Sequence, residues 1–121
     1  MRKKNRFIVA LNGLKFVFKN EGHFKFHIVI FILVVLLGFY FRIEKWEWTT
    51  ILLCSLFVFI CEIINTAMEQ LCDYIQPNQD ERIGLIKDIS AGAVLISAIM
   101  VVVAGVIIFL PHFIKEIEGL I

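Results

Sequence analysis

The sequence predicts an all-α integral membrane protein: three transmembrane helices plus an N-terminal amphipathic surface helix. Two observations carry this. Hydrophobic residues make up 60% of the 121, against roughly 45–50% in a soluble domain. They also gather into three long runs, and a helix crosses the hydrocarbon core in about 17–25 residues. The spans are set at about 26–41, 49–70 and 88–110, and the surface helix at about 2–19, within a single domain covering 1–121.

The N-terminal segment supplies the orientation. Arg2, Lys3, Lys4, Arg6, Lys15, Lys19 and Lys25 precede the first span, with Glu21 the only acid among them. Basic residues stay on the cytoplasmic side, so the N-terminus and the 70–87 loop are expected in the cytoplasm and the C-terminus outside. Phe7, Leu11, Leu14 and Phe18 recur at i, i+4, i+7 and i+11, one apolar face of a helix lying in the interface. The first run is expected to be retained, because the Gly38–Arg42 stretch offers no small-residue cleavage site. A net charge of +1 points to no nucleic-acid partner.

Asn20, Glu21, Gly22 and His23 form a polar break before the first span. His23 and His27 stand one helical turn apart, but this spacing lacks the glutamate of a zincin motif, and both read as interfacial histidines. The span itself reads as packing surface without chemistry of its own. Arg42, Glu44, Lys45 and Glu47 nearly cancel in charge and read as a solvated external turn, with Trp46 and Trp48 in an interfacial belt.

The second span is where polar groups are expensive. Glu62, Asn65, Thr66, Glu69 and Asp73 lie within roughly 100° of arc on a helix. An ionisable residue inside a span costs about 2.5–3.5 kcal/mol on insertion scales and marks a functional site by default. Glu62 and Glu69 are about 10 Å apart along the helix axis. Glu69 therefore sits at the cytoplasmic boundary and Glu62 about two turns deeper. One carboxylate can then act as proton acceptor while the other serves as a fixed anion or metal ligand. Cys54, Cys61 and Cys72 form no CxxC pair and read as small apolar filler.

Lys87 and Asp88 open the third span after a polar loop, and Asp88 suits a helix N-terminal position. A hairpin of the second and third spans would bring Glu69, Asp73, Lys87 and Asp88 to one membrane surface. Ser90, Ser97 and Ala104 recur every seven residues, as in a closely packed, oligomer-forming inner helix. Pro111 ends the span, leaving His112–Ile121 as a short external tail.

Carboxylates at such a surface suit Mg²⁺, which keeps waters and bridges to substrate phosphates, and lysine neutralises phosphate charge. A deeper glutamate could accept a proton from a membrane-held hydroxyl. Together these groups suit phosphoryl transfer from a nucleotide to a lipid alcohol, a reaction that asks mainly for positioning and charge neutralisation. No Walker or protein-kinase motif occurs. A proton- or ion-conducting oligomer would also use Glu62 and Glu69, but it leaves Glu21, Lys87 and Asp88 at one surface unexplained. A purely structural assembly subunit leaves all the carboxylates unexplained.

The block from Glu62 through Asn65, Thr66 and Glu69 to Asp73, followed by Lys87, Asp88 and the small residues to Val94, resembles the signature of the small bacterial membrane kinases of the diacylglycerol kinase and undecaprenol kinase family. Asn12, Gly13, Asn20 and Glu21 match its N-terminal pattern, and the resemblance runs without gaps from Gly13 to Val94. It implies a homotrimer in the bacterial cytoplasmic membrane, with active sites shared between subunits and Mg-ATP as phosphoryl donor. Carried over, Glu62 is the proton acceptor and Asn65 is essential to the site. Glu21 and Glu69 hold Mg²⁺. Lys87, Asp88 and Arg2, with Arg6 as rival to Arg2, contact nucleotide. Asp80 stands where the family often carries a histidine, which puts nucleotide contacts from that loop in doubt. The Asn65-Thr66-Ala67 form, Glu47-Trp48 and the compact N-terminus look more like undecaprenol kinases than diacylglycerol kinases, so undecaprenol is the expected lipid alcohol and diacylglycerol the alternative.

Overall fold

The computed structural model describes residues 5–121, so Arg2 lies outside the described residues. All regular structure among them is helical: α1 (Arg6–Asn20), α2 (Gly22–Phe41), α3 (Lys45–Ile75) and α4 (Glu81–Leu120). The helices α2, α3 and α4 are each long and apolar enough to cross a membrane.

The surface helix starts where Asn5 caps it, accepting the Phe7 N–H at 2.9 Å. Only Val17 is buried on α1, while Phe7, Leu11, Leu14 and Phe18 stay exposed as an apolar stripe. In water such a stripe would be a liability; at a membrane surface it is the binding face. Glu21 then takes an extended conformation (φ −106°, ψ 109°), and α2 begins at the next residue. This single-residue corner separates the surface helix from the first span and leaves Glu21 at the junction.

Between α2 and α3 the chain reverses through Arg42, in the left-handed conformation at φ 51°, ψ 53°. Its N–H reaches the carbonyls of Gly38 and Phe39 and closes the end of α2. A residue with a Cβ pays about 1–2 kcal/mol for that conformation. Gly38 is needed for a different reason. A Cβ there would stand 2.5 Å from Cη2 of Trp48 and 2.8 Å from Cζ2, so the indole can lie against the helix only over a glycine.

The expected solvated turn at Arg42–Trp48 is not what forms. Helix α3 already begins at Lys45, so Glu47 falls in its first turn on the inward face and is only 6% exposed. Glu47 Oε1 accepts the Glu44 N–H at 3.2 Å, and the Glu44 side chain returns the cap. Glu47 Oε2 lies 3.2 Å from His112 Nε2. Of the two tryptophans, Trp46 is exposed and donates to Glu44 Oε2 at 2.7 Å.

The buried residues of α3 are Glu47, Ile51, Ser55, Val58, Glu62, Asn65, Thr66 and Cys72. Steps of three and four from Glu47 to Asn65 place these on one stripe; it alternates between polar and apolar groups as far as Glu62, and Asn65 and Thr66 extend the polar part. It packs along α4 as an antiparallel hairpin. Contacts at both ends fix that sense: Glu47 with His112, and Asp73 with Lys87. Ser97 of α4 is fully buried, its hydroxyl donating to Val94 O at 2.7 Å.

Helix α4 starts a turn and more before the apolar run. Asp80 caps it by accepting the N–H groups of Arg82 and Ile83 at 3.0 and 3.1 Å. Asp88 therefore lies about two turns inside the helix, and the N-terminal role expected of it belongs to Asp80. The helix also continues past Pro111 to Leu120. Proline removes one N–H from the ladder, yet the last turns remain helical and are tied to α2 by Tyr40 donating to Glu116 Oε1 at 2.5 Å. The apolar core of Ile43, Ile51, Ile108 and Phe109 lies at this end, with Phe41 and Trp48 against it.

Candidate active site

The opposite end of the bundle gathers the polar residues. Glu62 and Asn65 sit on the inward stripe of α3, 3% and 7% exposed. The Thr66 hydroxyl donates to Glu62 O at 2.9 Å, and so consumes its own polarity within the helix. Asn65 Nδ2 donates to Glu69 Oε1 at 3.0 Å, linking the deeper part of the site to the half-buried Glu69. Among the described residues two buried side-chain atoms have no hydrogen-bond partner: Glu62 Oε2 and Asn65 Oδ1. A buried polar atom left unsatisfied costs about 1–3 kcal/mol, and this orphaned carboxylate oxygen and amide oxygen stand three residues apart on one face.

Glu62 Oε1 is held by a residue assigned no chemistry above. His27 of α2 places Nε2 3.1 Å from it. The expectation that this span is packing surface alone is therefore corrected. The signal is an imidazole one residue inside the apolar run that opens at Phe26. It was readable as interfacial because nothing in one chain segment says which helix it faces.

Glu21 completes the carboxylate group. Its pKa is raised above the ordinary carboxylate value, first by burial and then by the negative charges of Glu69 and Glu62, with His23 opposing. Those interactions bring Glu21, at the α1–α2 corner, into the same field as the two α3 carboxylates. Among the described residues no three His, Cys, Asp or Glu side chains close on a point that could hold a metal ion. Glu21 and Glu69 still fit a magnesium ion, which takes one or two carboxylates and completes its shell with waters and substrate phosphates. The mutual repulsion felt by Glu21 is what a divalent cation would relieve.

The remaining candidates divide. Lys87 pairs with Asp73 across the hairpin. It also lines a cleft of about 590 Å³ beside the Gln76–Asp80 loop and the first turn of α4. Asp88 is exposed and, one residue on from Lys87, points about 100° around the helix from it. Arg6 is exposed near the start of α1. A second cavity, of about 250 Å³, lies between α2, α3 and α4. Its walls are almost wholly apolar, with His27 and Ser55 the polar contributors.

A family model described as prokaryotic diacylglycerol kinase matches residues 8–109. The chain belongs to this family. It is 32% identical over 105 residues to an undecaprenol kinase from Bacillus subtilis, covering 87% of this chain and 85% of that one. It is 30% identical over 101 residues to a diacylglycerol kinase from Escherichia coli, covering 84% and 83%. A diacylglycerol kinase from Synechocystis is 30% identical over 106 residues, which span 87% of this chain and 61% of the relative. The chain is thus a lipid kinase by family.

Proposed function

We propose that the chain phosphorylates a membrane lipid alcohol from ATP, with Glu62 as the general base. The observation that carries this reading is the buried, unpartnered Oε2 of Glu62. A general base must have a free lone pair within reach of the proton it removes, and this oxygen is one hydrogen bond short. In the proposed step Oε2 takes the hydroxyl proton, and the hydroxyl oxygen forms a bond to the γ-phosphorus. The bond from that phosphorus to the β–γ bridging oxygen breaks, and ADP leaves. Asn65 spans the depth between base and surface, fixing Glu69 through its Nδ2 while its Oδ1 stays free. Glu21 and Glu69 would hold Mg²⁺, which when bound neutralises phosphate charge as it builds. Lys87, at the cleft beside the 76–80 loop, is the cation for the phosphates, with Asp88 and Arg2 as further nucleotide contacts.

The lipid alcohol we assign is undecaprenol. The motif form that resembles undecaprenol kinases and the similarity to the Bacillus subtilis enzyme support it; diacylglycerol is the alternative substrate. The functional unit we assign is a homotrimer in the bacterial cytoplasmic membrane, with the N-terminus and the site on the cytoplasmic side. A helix, α2, that buries only Gly38 within one chain supports further copies covering its apolar surface.

The test is a lipid-kinase assay with radiolabelled ATP, offering undecaprenol and diacylglycerol in parallel to purified parent, Glu62→Gln and Glu69→Gln. Label in undecaprenyl phosphate, lost in both variants while assembly by light scattering is unchanged, supports the reading. An undiminished rate in either variant removes that residue's role. Product only from diacylglycerol reassigns the substrate, and product from neither, with proton flux in liposomes, replaces the class.

A further inference from the structure

Glu62 is anchored from another helix through one oxygen, and the anchor is His27. Its Nε2 is 3.1 Å from Glu62 Oε1. The carboxylate is 3% exposed and the imidazole 20%, so the pair is largely withdrawn from competing water. An ionised carboxylate can only accept. With Glu62 ready to act as a base, the hydrogen between them therefore sits on His27 Nε2, and His27 donates. The consequence is asymmetry between the two Glu62 oxygens. Oε1 is committed to the imidazole and Oε2 is left buried without a partner. Within its own helix Glu62 has only backbone support, its carbonyl accepting from Thr66, which does not orient the carboxylate. The same imidazole also lines the apolar cavity between α2, α3 and α4, so an apolar chain lying there would touch the residue that holds the carboxylate.

We infer that His27 is a positioning residue for the phosphoryl transfer: by donating from Nε2 to Glu62 Oε1 it locks the carboxylate rotamer that aims Oε2 at the acceptor hydroxyl. This rests on the reading of Glu62 as the general base. A base that turns freely about its terminal torsion spends much of its time out of line, and a displacement of about 1 Å costs up to about 100-fold in rate. A donor to the reacting carboxylate acts on the chemical step and leaves the proposed phosphate contact at Lys87, on α4 beside the 76–80 loop, untouched.

The test uses the full-length protein in detergent or reconstituted vesicles, with lipid and ATP varied independently. His27→Phe keeps the ring bulk against the cavity and removes both nitrogens. His27→Gln carries an N–H donor at about the reach of Nε2, and His27→Asn places it at the reach of Nδ1. The inference expects kcat to fall about 10- to 100-fold in His27→Phe with the KM for ATP unchanged, and His27→Gln to recover most of the loss while His27→Asn does not. A residue that merely fills space would give the opposite order, with Phe best tolerated. Wild-type kcat in His27→Phe, or equal rates in Gln and Asn variants, overturns the inference. Should His27→Phe fail to insert, the Gln-to-Asn ratio decides alone. Glu62→Gln is measured alongside: if it is inactive while His27→Phe is fully active, only the role of His27 falls, and if it is active the reading of Glu62 falls with it.

Discussion

Helix α3 carries two buried carboxylates, each facing a histidine from another helix, and the two pairs behave differently. Glu47 meets His112 at 3.2 Å, and Glu62 meets His27 at 3.1 Å. They stand fifteen residues apart, about 22 Å along the helix, and both are nearly excluded from solvent. Glu47 spends both oxygens, one on the Glu44 N–H that closes the helix cap and one on His112. Glu62 spends one oxygen and keeps the other. The surroundings differ in the same sense. Glu47 lies beside the apolar core and a cluster of aromatic rings, with Phe41 stacked on the His112 ring at 5.5 Å. Glu62 lies beside Asn65, another orphan, and within the field of Glu21. Burial and a histidine partner are therefore common to both carboxylates, and the unspent lone pair of Glu62 is what separates them.

The largest effect that tests the comparison comes from the matched pair Glu62→Gln and Glu47→Gln. Removing a general base costs about 10²- to 10⁴-fold, so Glu62→Gln is expected to lose at least that in lipid phosphorylation while inserting normally. Glu47→Gln is expected to keep the specific rate of the folded fraction and to unfold at lower temperature. A large rate loss in Glu47→Gln with intact folding would erase the distinction. Next comes His112→Leu, which leaves Glu47 Oε2 buried and unpaired at a cost of about 1–3 kcal/mol. Thermal unfolding in detergent should register it without a change in KM for ATP. Asp73→Asn is smaller. The Asp73–Lys87 pair is more than one third exposed on both sides, and such pairs contribute about 0–1 kcal/mol. Unfolding should barely move.

The same contrast explains what one sequence could and could not reveal. The membrane helices, the surface helix and the polar face of α3 follow from hydropathy and a 3.6-residue period, because lipid imposes those patterns along a single segment. Glu62 and Glu69 stand out as candidates because charge within an apolar run is costly wherever the helix packs, Asn65 because it shares their face, and Glu21 because it is the one acid among the basic residues before the first span. Partnership was not legible. Nothing local pairs His27 with Glu62 across 35 positions or His112 with Glu47 across 65; those contacts are set by how three helices rotate against one another. Glu47 looked like part of a neutral loop because its neighbours Arg42, Glu44 and Lys45 balance it, whereas the helix start at Lys45 turns it inward. Asp88 looked like a cap because it stands at the edge of the apolar run, while the backbone had already become helical behind Asp80. Hydropathy marks where lipid begins, and helices need not begin there.

The smallest expected effect is the one that best separates a binding site from a scaffold. The raised pKa of Glu21, caused by burial and then by Glu69 and Glu62, means that the folded chain favours its neutral form. Such a group favours folding below the carboxylate's unfolded value, near pH 4.3, and that contribution is lost as pH rises through the raised, folded value. At neutral pH an ionised Glu21 therefore works slightly against the fold. Glu21→Gln, which cannot ionise, is expected to unfold at a slightly higher temperature than the parent in metal-free buffer, with the difference vanishing below the ordinary carboxylate range. Mg²⁺ with nucleotide should reverse the order, stabilising the parent more than the variant, because only the parent offers the anion that binding uses. A scaffold carboxylate such as Glu47, with both oxygens already engaged, has no reason to show that reversal. Equal stabilisation of parent and Glu21→Gln by Mg²⁺ and nucleotide would move Glu21 out of the binding site and into the architecture.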